Sequence, residues 1–209
     1  MVWVKICGIT NLADAEAAVK YGAAAVGFVF TSSKRKIAPE TARKIIRALP
    51  RNVEKIGVFA GAEIAKVREI AAYCGLTGIQ FQGEESPEYL SSFRNYELIK
   101  AFRVDSRVAW RRIGAYAANN IVQRILFDTY VSGQPGGTGK TFKWEIVSGL
   151  RWPRVAVIIA GGLNPDNVAQ AIWAAGKPDG VDVSSGVEKE AGQKDLIKMQ
   201  TFLKRARGL

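Results

Sequence analysis

A chain of 209 residues, 48% of them apolar, is long enough to bury a core and too hydrophobic in composition to be disordered. No apolar run reaches the roughly 20 residues of a membrane span, and the start, MVWVKICGIT, lacks the apolar stretch of a signal peptide, so a cytoplasmic, membrane-free protein is expected. The net charge of +11 is spread from Lys34-Arg35-Lys36 through Arg111-Arg112 to Lys204-Arg205-Arg207 without interleaved aromatics, which reads as a solvated basic surface and not as a nucleic-acid stripe.

Along the chain, short β-rich apolar runs alternate with helical patterns. Strands are expected at 2–7, 25–30, 55–59, 78–81, 97–102, 124–128, 156–160 and 180–184, each apolar enough to be buried on both faces of a parallel sheet. A first helix is expected over 12–21. Ala42, Ile45, Ile46 and Leu49 then fall on one helical face behind Pro39, a natural first-turn residue. Ile64, Val67, Ala71 and Cys74 repeat that spacing, with Gly75 placed as a stop. Weaker helical patterns lie near 87–94, 108–118 and 144–150. Val168, Ala171, Ile172 and Ala175 follow Asn164-Pro165, which reads as an N-cap and its proline. A last helix over 195–207 should turn Leu196, Met199, Leu203 and Ala206 inward.

Eight such units imply a single (β/α)8 TIM barrel over residues 1–209, near the lower end of the size range of roughly 200 to over 400 residues. A doubly wound open sheet is the alternative, with the same alternation but usually fewer strands. In a barrel, the ends of the strands and the loops after them form the active site.

The chain has no histidine, so acid–base chemistry near neutral pH falls to Cys, Asp, Glu, Lys or Tyr. Two cysteines, Cys7 and Cys74, are too few for a disulfide framework and fit a reducing compartment. Cys7 closes the first strand and Asp128 the sixth, so a thiol and a carboxyl enter one mouth from different strands. Such a pair serves as base and acid when its surroundings separate the two pKa values. Two loops suit phosphate: Gly161-Gly162 after strand seven, and Ser184-Ser185 after strand eight, offer close backbone approach, hydroxyls and free N–H groups where barrels of this kind hold phosphate. The stretch LFDTYVSGQPGGTGKTF ends like a nucleotide-binding P-loop, but the required glycine falls on Gln134, and Gly133 is one residue too far.

The stretches VKICGIT, SSKRKIAPE, IQFQGEE, GGTGKTFKW, AGGLNPDNV and GVDVSSGVE, in register from residue 2 to the last helix, together resemble the phosphoribosylanthranilate isomerase family. The resemblance implies a (β/α)8 barrel with no cofactor and no metal. It implies an Amadori rearrangement of a small anionic phosphosugar, N-(5-phosphoribosyl)anthranilate, to 1-(2-carboxyphenylamino)-1-deoxyribulose 5-phosphate. Cys7 matches the family's general base and Asp128 its general acid. Arg35 matches an arginine near the anthranilate carboxylate, and Asp182 an aspartate facing the sugar hydroxyls. Gly161, Gly162, Ser184 and Ser185 match the phosphate cradle, and the run 136–140 matches a mobile loop after strand six. The family pattern Leu-His-Gly at the end of strand four is here Phe81-Gln82-Gly83, so Gln82 stands where a histidine is usual. The base needs thiolate character, which a helix N-terminus or a nearby cation supplies; the acid needs a protonated carboxyl, which partial burial favours. The cationic chain attracts such a substrate over distance, as a monomer or a homodimer.

Overall fold

A computed structural model describes residues 2–104, 110–118, 121–129 and 143–208. Eight parallel strands close into a barrel in chain order: β1 (Trp3–Ile6), β2 (Ala25–Val29), β3 (Glu54–Phe59), β4 (Gly78–Phe81), β5 (Glu97–Val104), β6 (Arg124–Thr129), β7 (Ala156–Ile159) and β8 (Gly180–Val183). Closure is direct, with Trp3 to Ile6 in register beside Gly180 to Val183. The open-sheet alternative is therefore set aside.

Helices α1 (Leu12–Lys20), α2 (Pro39–Ala48), α3 (Ile64–Cys74), α4 (Pro87–Ser91), α5 (Trp110–Ala118), α6 (Val168–Ala174) and α7 (Leu196–Ala206) follow the strands. A single 3-10 turn, Trp144–Val147, replaces the helix expected over 144–150. A short hairpin, β9 (Glu188–Glu190) with β10 (Gln193–Lys194), follows β8. The helical faces are those the spacing predicts: Ala42, Ile45 and Ile46 are buried on α2, and Val67, Ala71 and Cys74 on α3, which Gly75 ends in a left-handed cap.

Two details differ. The N-cap of α6 is Asn167, not Asn164. The Asn164 side chain instead accepts the N–H groups of Asp166 and Asn167 at 2.8 and 3.2 Å, closing a turn of its own that takes Pro165 out of the helix. Leu196 is 46% exposed, because Asp195 caps α7 immediately before it and the first turn has not yet reached the core. Phe202 fills the inward face with Met199, Leu203 and Ala206.

Side chains on each strand alternate between the barrel interior and the helical shell. Phe28, Phe81 and Phe127 point outward into the shell core and are fully buried, each burial contributing about 1.5–3 kcal/mol. The interior has its own cluster: Ala25, Ile56, Ile99, Ala101, Leu126, Ile158 and Ala160. At the N-terminal end of the strands, Trp3, Glu54 and Arg124 close the barrel. Arg124 makes a two-armed ion pair to Glu54 at 2.9 Å on each arm, Trp3 Nε1 donates to Glu54 at 2.9 Å, and the guanidinium lies 4.7 Å from the Trp3 ring centre. The opposite end carries the polar groups considered next.

Candidate active site

Cys7 sits one residue past β1, where its N–H donates to Val183 O at 2.8 Å and so ties β1 to β8 at the mouth. Its thiol packs against Gly27, where a Cβ would lie 2.7 Å from the sulfur. Gly8 has φ +74°, and a Cβ there would meet Arg35 Cδ at 2.6 Å and Ser184 Oγ at 2.9 Å. Glycine at position 8 thus lets three sequence-distant residues, Cys7, Arg35 and Ser184, gather at one point.

Directly below, Lys5 is fully buried inside the barrel. Its ammonium donates to Asp182 Oδ2 at 2.9 Å and to Gln80 Oε1, and its charge bears on the Cys7 thiol. Burial pulls the Lys5 pKa down, but Asp182 and Cys7 more than offset it, so the pKa is raised and the ammonium persists. The expected cations beside Cys7 are therefore present: Lys5, and Lys194 from the hairpin. Burial nonetheless dominates and pushes the thiol up, helped by Asp182 and opposed by Lys5, Lys194 and the Gly8 N–H. The thiol is therefore less acidic than a free one.

Asp128 is half-buried near the end of β6, two residues beyond the interior residue Leu126 and hence on the same face. Asp182 is buried on β8; its Oδ1 has no hydrogen-bond partner, and neither has Ser184 Oγ just beyond. Buried acceptors of this kind carry a desolvation cost of about 1–3 kcal/mol until something donates to them. Gly161 and Gly162 follow β7 with φ of 79° and 66°. Ser185 opens a 3-10 turn, Ser185–Val187, whose Gly186 lies so close to the Leu163 carbonyl that a Cβ would collide with it. The two glycine- and serine-bearing loops are thus packed together, as two halves of one cradle require.

Across the mouth, Gln82 is half-buried and its N–H donates to Phe59 O at 2.9 Å. The loop it begins is braced by buried Lys100, which donates to Gly83 O at 2.6 Å and to Glu85 Oε2 at 3.3 Å, while Glu85 Oε1 accepts the Gly61 N–H at 2.8 Å. Arg35 is held by Glu188, Nε to Oε1 at 2.8 Å and Nη2 to Oε2 at 2.6 Å. Burial opposes the Glu188 charge, but Arg35 and Lys194 hold its pKa below the usual range. The run 136–140 lies outside the described residues. Among the described residues no cluster of three or more His, Cys, Asp or Glu is arranged to hold a metal, and no helix is long and apolar enough to cross a membrane.

The family model for N-(5'-phosphoribosyl)anthranilate (PRA) isomerase matches residues 4–205. The chain belongs to that family. An N-(5'-phosphoribosyl)anthranilate isomerase from Desulforudis audaxviator is 51% identical over 207 residues, covering 99% of this chain and 98% of its own. The crystal structure of phosphoribosyl anthranilate isomerase from Thermotoga maritima superposes with a TM-score of 0.89 at 42% identity, each chain covered in full. A phosphoribosyl anthranilate isomerase solved in complex with reduced 1-(o-carboxyphenylamino)-1-deoxyribulose 5-phosphate reaches a TM-score of 0.84 at 40% identity, again over both full chains. Membership makes the chain an enzyme, an isomerase of tryptophan biosynthesis on a TIM barrel.

Sequence reasoning reached Cys7, Arg35, Asp182 and Ser184, which the fold gathers on the β8–β1–β2 side, and Asp128 and Gln82 on other strands. It passed over Lys5, Gln80, Glu188 and Lys194. A signal for Lys5 existed: it lies between Trp3 and Cys7 at a spacing of two, on the inward face of a buried strand. Lys194 gave none, being a lysine in a polar hairpin.

Proposed function

We propose that this chain converts N-(5-phosphoribosyl)anthranilate to 1-(2-carboxyphenylamino)-1-deoxyribulose 5-phosphate, with Cys7 as general base and Asp128 as general acid. Asp128 gives its proton to the ring oxygen as the C1'–O bond breaks, and the anilino nitrogen supplies the electrons that form the C1'=N bond. Cys7 removes the C2' proton, giving the enolamine. A proton then enters at C1' and one leaves the C2' hydroxyl, so the hydroxyl becomes the ketone. No electron is exchanged with the surroundings, and the reading calls for neither cofactor nor metal.

The observation that carries this reading is the gathering of Arg35 and Ser184 against Gly8, next to Cys7, with Asp182 close enough to act on the thiol and two buried polar atoms left unpartnered. Asp182 Oδ1 accepts a sugar hydroxyl, and Lys5 keeps the other carboxylate oxygen fixed. Gly161, Gly162, Ser184 and Ser185 hold the phosphate. Arg35, already oriented by Glu188, faces the anthranilate carboxylate. Gln82 both donates and accepts hydrogen bonds on the far side but brings no charge. Because burial raises the Cys7 pKa, Lys5 and Lys194 act to stabilise the thiolate once it forms. We place the enzyme in the cytoplasm as one domain over the whole chain, a monomer or a homodimer, with no nucleic acid or membrane partner.

The test follows the loss of anthranilate-type fluorescence when fresh phosphoribosylanthranilate meets the protein, beside Cys7→Ala and Asp128→Asn. Turnover by the parent that collapses in both variants is the expected result. Parental turnover in either variant removes that residue from its role.

A further inference from the structure

Lys194 belongs to none of the steps above, yet it is among the most tightly held side chains near the site. It is 2% exposed and comes from the hairpin after β8, 187 residues from Cys7 along the chain. Its ammonium donates to the Cys7 carbonyl at 2.6 Å, to the Ser184 carbonyl at 3.2 Å and to Glu188 Oε1 at 2.8 Å. Its own N–H donates to Asp14 Oδ2 at 2.8 Å, which fixes the hairpin to α1. Glu188 in turn grips Arg35 with both oxygens. One nitrogen therefore touches the residue after β1, the loop after β8 and, through one carboxylate, the arginine from the loop after β2.

A buried ammonium is a costly way to fill space, and apolar residues of the same volume often serve stability as well or better. Its retention here matches what it touches. From these contacts we infer that Lys194 is a positioning residue for the isomerisation, fixing Cys7 and the phosphate loop to one point and orienting Arg35 through Glu188. The inference rests on the roles of Cys7, Ser184 and Arg35 given above. Lys194 also adds to the field at the thiol: the charged groups bearing on Cys7 are Lys5 below it, Asp182 on β8, Lys194 in the hairpin and Arg35 beyond Gly8. Burial lowers the Lys194 pKa and Glu188 works against that, so the pairing helps keep the cation charged.

The experiment is Lys194→Met in the full chain, with Lys194→Gln as a second neutral variant that keeps N–H donors for the two carbonyls and is the one to read if Lys194→Met does not fold. Three quantities are measured: kcat and KM on phosphoribosylanthranilate, the pH titration of the Cys7 thiolate by ultraviolet absorbance against Cys7→Ser, and thermal unfolding. The inference predicts a fall in kcat of about 10²-fold, the scale of a misplaced reacting group, with the thiolate titration moved to higher pH. Lys194→Arg, which keeps the charge, should bring the titration back toward the parent. A lower melting temperature with kcat and titration unchanged would reduce Lys194 to a structural part and overturn the inference. The titration needs no turnover, so it decides whether Lys194 governs the thiol even if Cys7→Ala proves active and the base assignment fails.

Discussion

At the N-terminal end of the barrel, Glu54, Arg124 and Trp3 satisfy one another: both carboxylate oxygens, both arms of the fork and the indole N–H find partners. At the C-terminal end, Lys5 takes one oxygen of Asp182 and leaves the other unpartnered, and Ser184 Oγ is buried without a partner as well. The first arrangement is complete in itself. The second is left open, with two buried polar atoms that the proposed sugar and phosphate contacts would complete. Polar groups in similar strand positions thus form a closed, partly exposed set at one end and an open, buried one at the other.

The comparison breaks most visibly through catalysis. Cys7→Ala should lower kcat by about 10²–10⁴-fold, the usual share of a general base, while Glu54→Gln should keep parental turnover in the same assay. The active form pairs a Cys7 thiolate with a protonated Asp128, and burial raises the Cys7 pKa, so kcat/KM of the parent should fall as pH rises through an apparent value above that of a free thiol. A flat profile across that range would remove the thiol from the rate equation.

Next in size is Asp182→Leu, which strands the Lys5 ammonium inside the barrel. Urea unfolding should show a loss of about 3–5 kcal/mol, as for a broken buried pair. At the other end, Glu54→Gln breaks a partly exposed pair, and the same assay should show about 1 kcal/mol or less. Equal losses at the two ends would end the distinction drawn between them. Gly186→Ala, which drives a methyl into the Leu163 carbonyl, should cost about 1–3 kcal/mol and raise KM by disturbing the phosphate loop. The smallest effect is in acid. The folded pKa of Glu188 lies below its unfolded value, so its contribution is present above the ordinary glutamate range and disappears as pH falls through the folded value. Melting temperature should therefore fall with pH in that acid window less steeply for Glu188→Gln than for the parent.

Much of this was legible in the sequence because it depends on local period and punctuation. Eight apolar runs gave the strands to within two residues at each end, since strands buried on both faces read as continuous hydrophobic stretches. Gly75 and Asp195 marked helix ends because their conformations and side chains act on the neighbouring backbone. Asn164 misled for the same local reason: its side chain does accept the next N–H groups, at Asp166 and Asn167, but the helix begins only after Asn167. Leu196 misled because helical spacing does not say how far the first turn stands from the core.

The candidate site was legible where chemistry and position coincide, at the strand ends bearing Cys7 and Asp128 and in the glycine–serine loops proposed to hold phosphate. Its supporting charges were not. Lys194 and Glu188 look like any solvated hairpin residues until barrel closure brings Cys7, Ser184 and Arg35 around them. Gln80 and Lys5 meet only because strands 75 residues apart face each other across the interior. The net direction of the Cys7 shift was equally hidden, because it depends on a balance of burial against two cations that no local pattern records.

The measurement that bears most directly on the account is turnover of phosphoribosylanthranilate carrying deuterium at C2', compared with the ordinary substrate, in the parent and in Cys7→Ser. The account predicts slower turnover of the deuterated substrate by the parent, and a Cys7→Ser variant that binds the reduced product analogue like the parent but barely turns over either substrate. Cys7→Ser working at the parental rate, with the same isotope effect, would mean that another group removes the C2' proton.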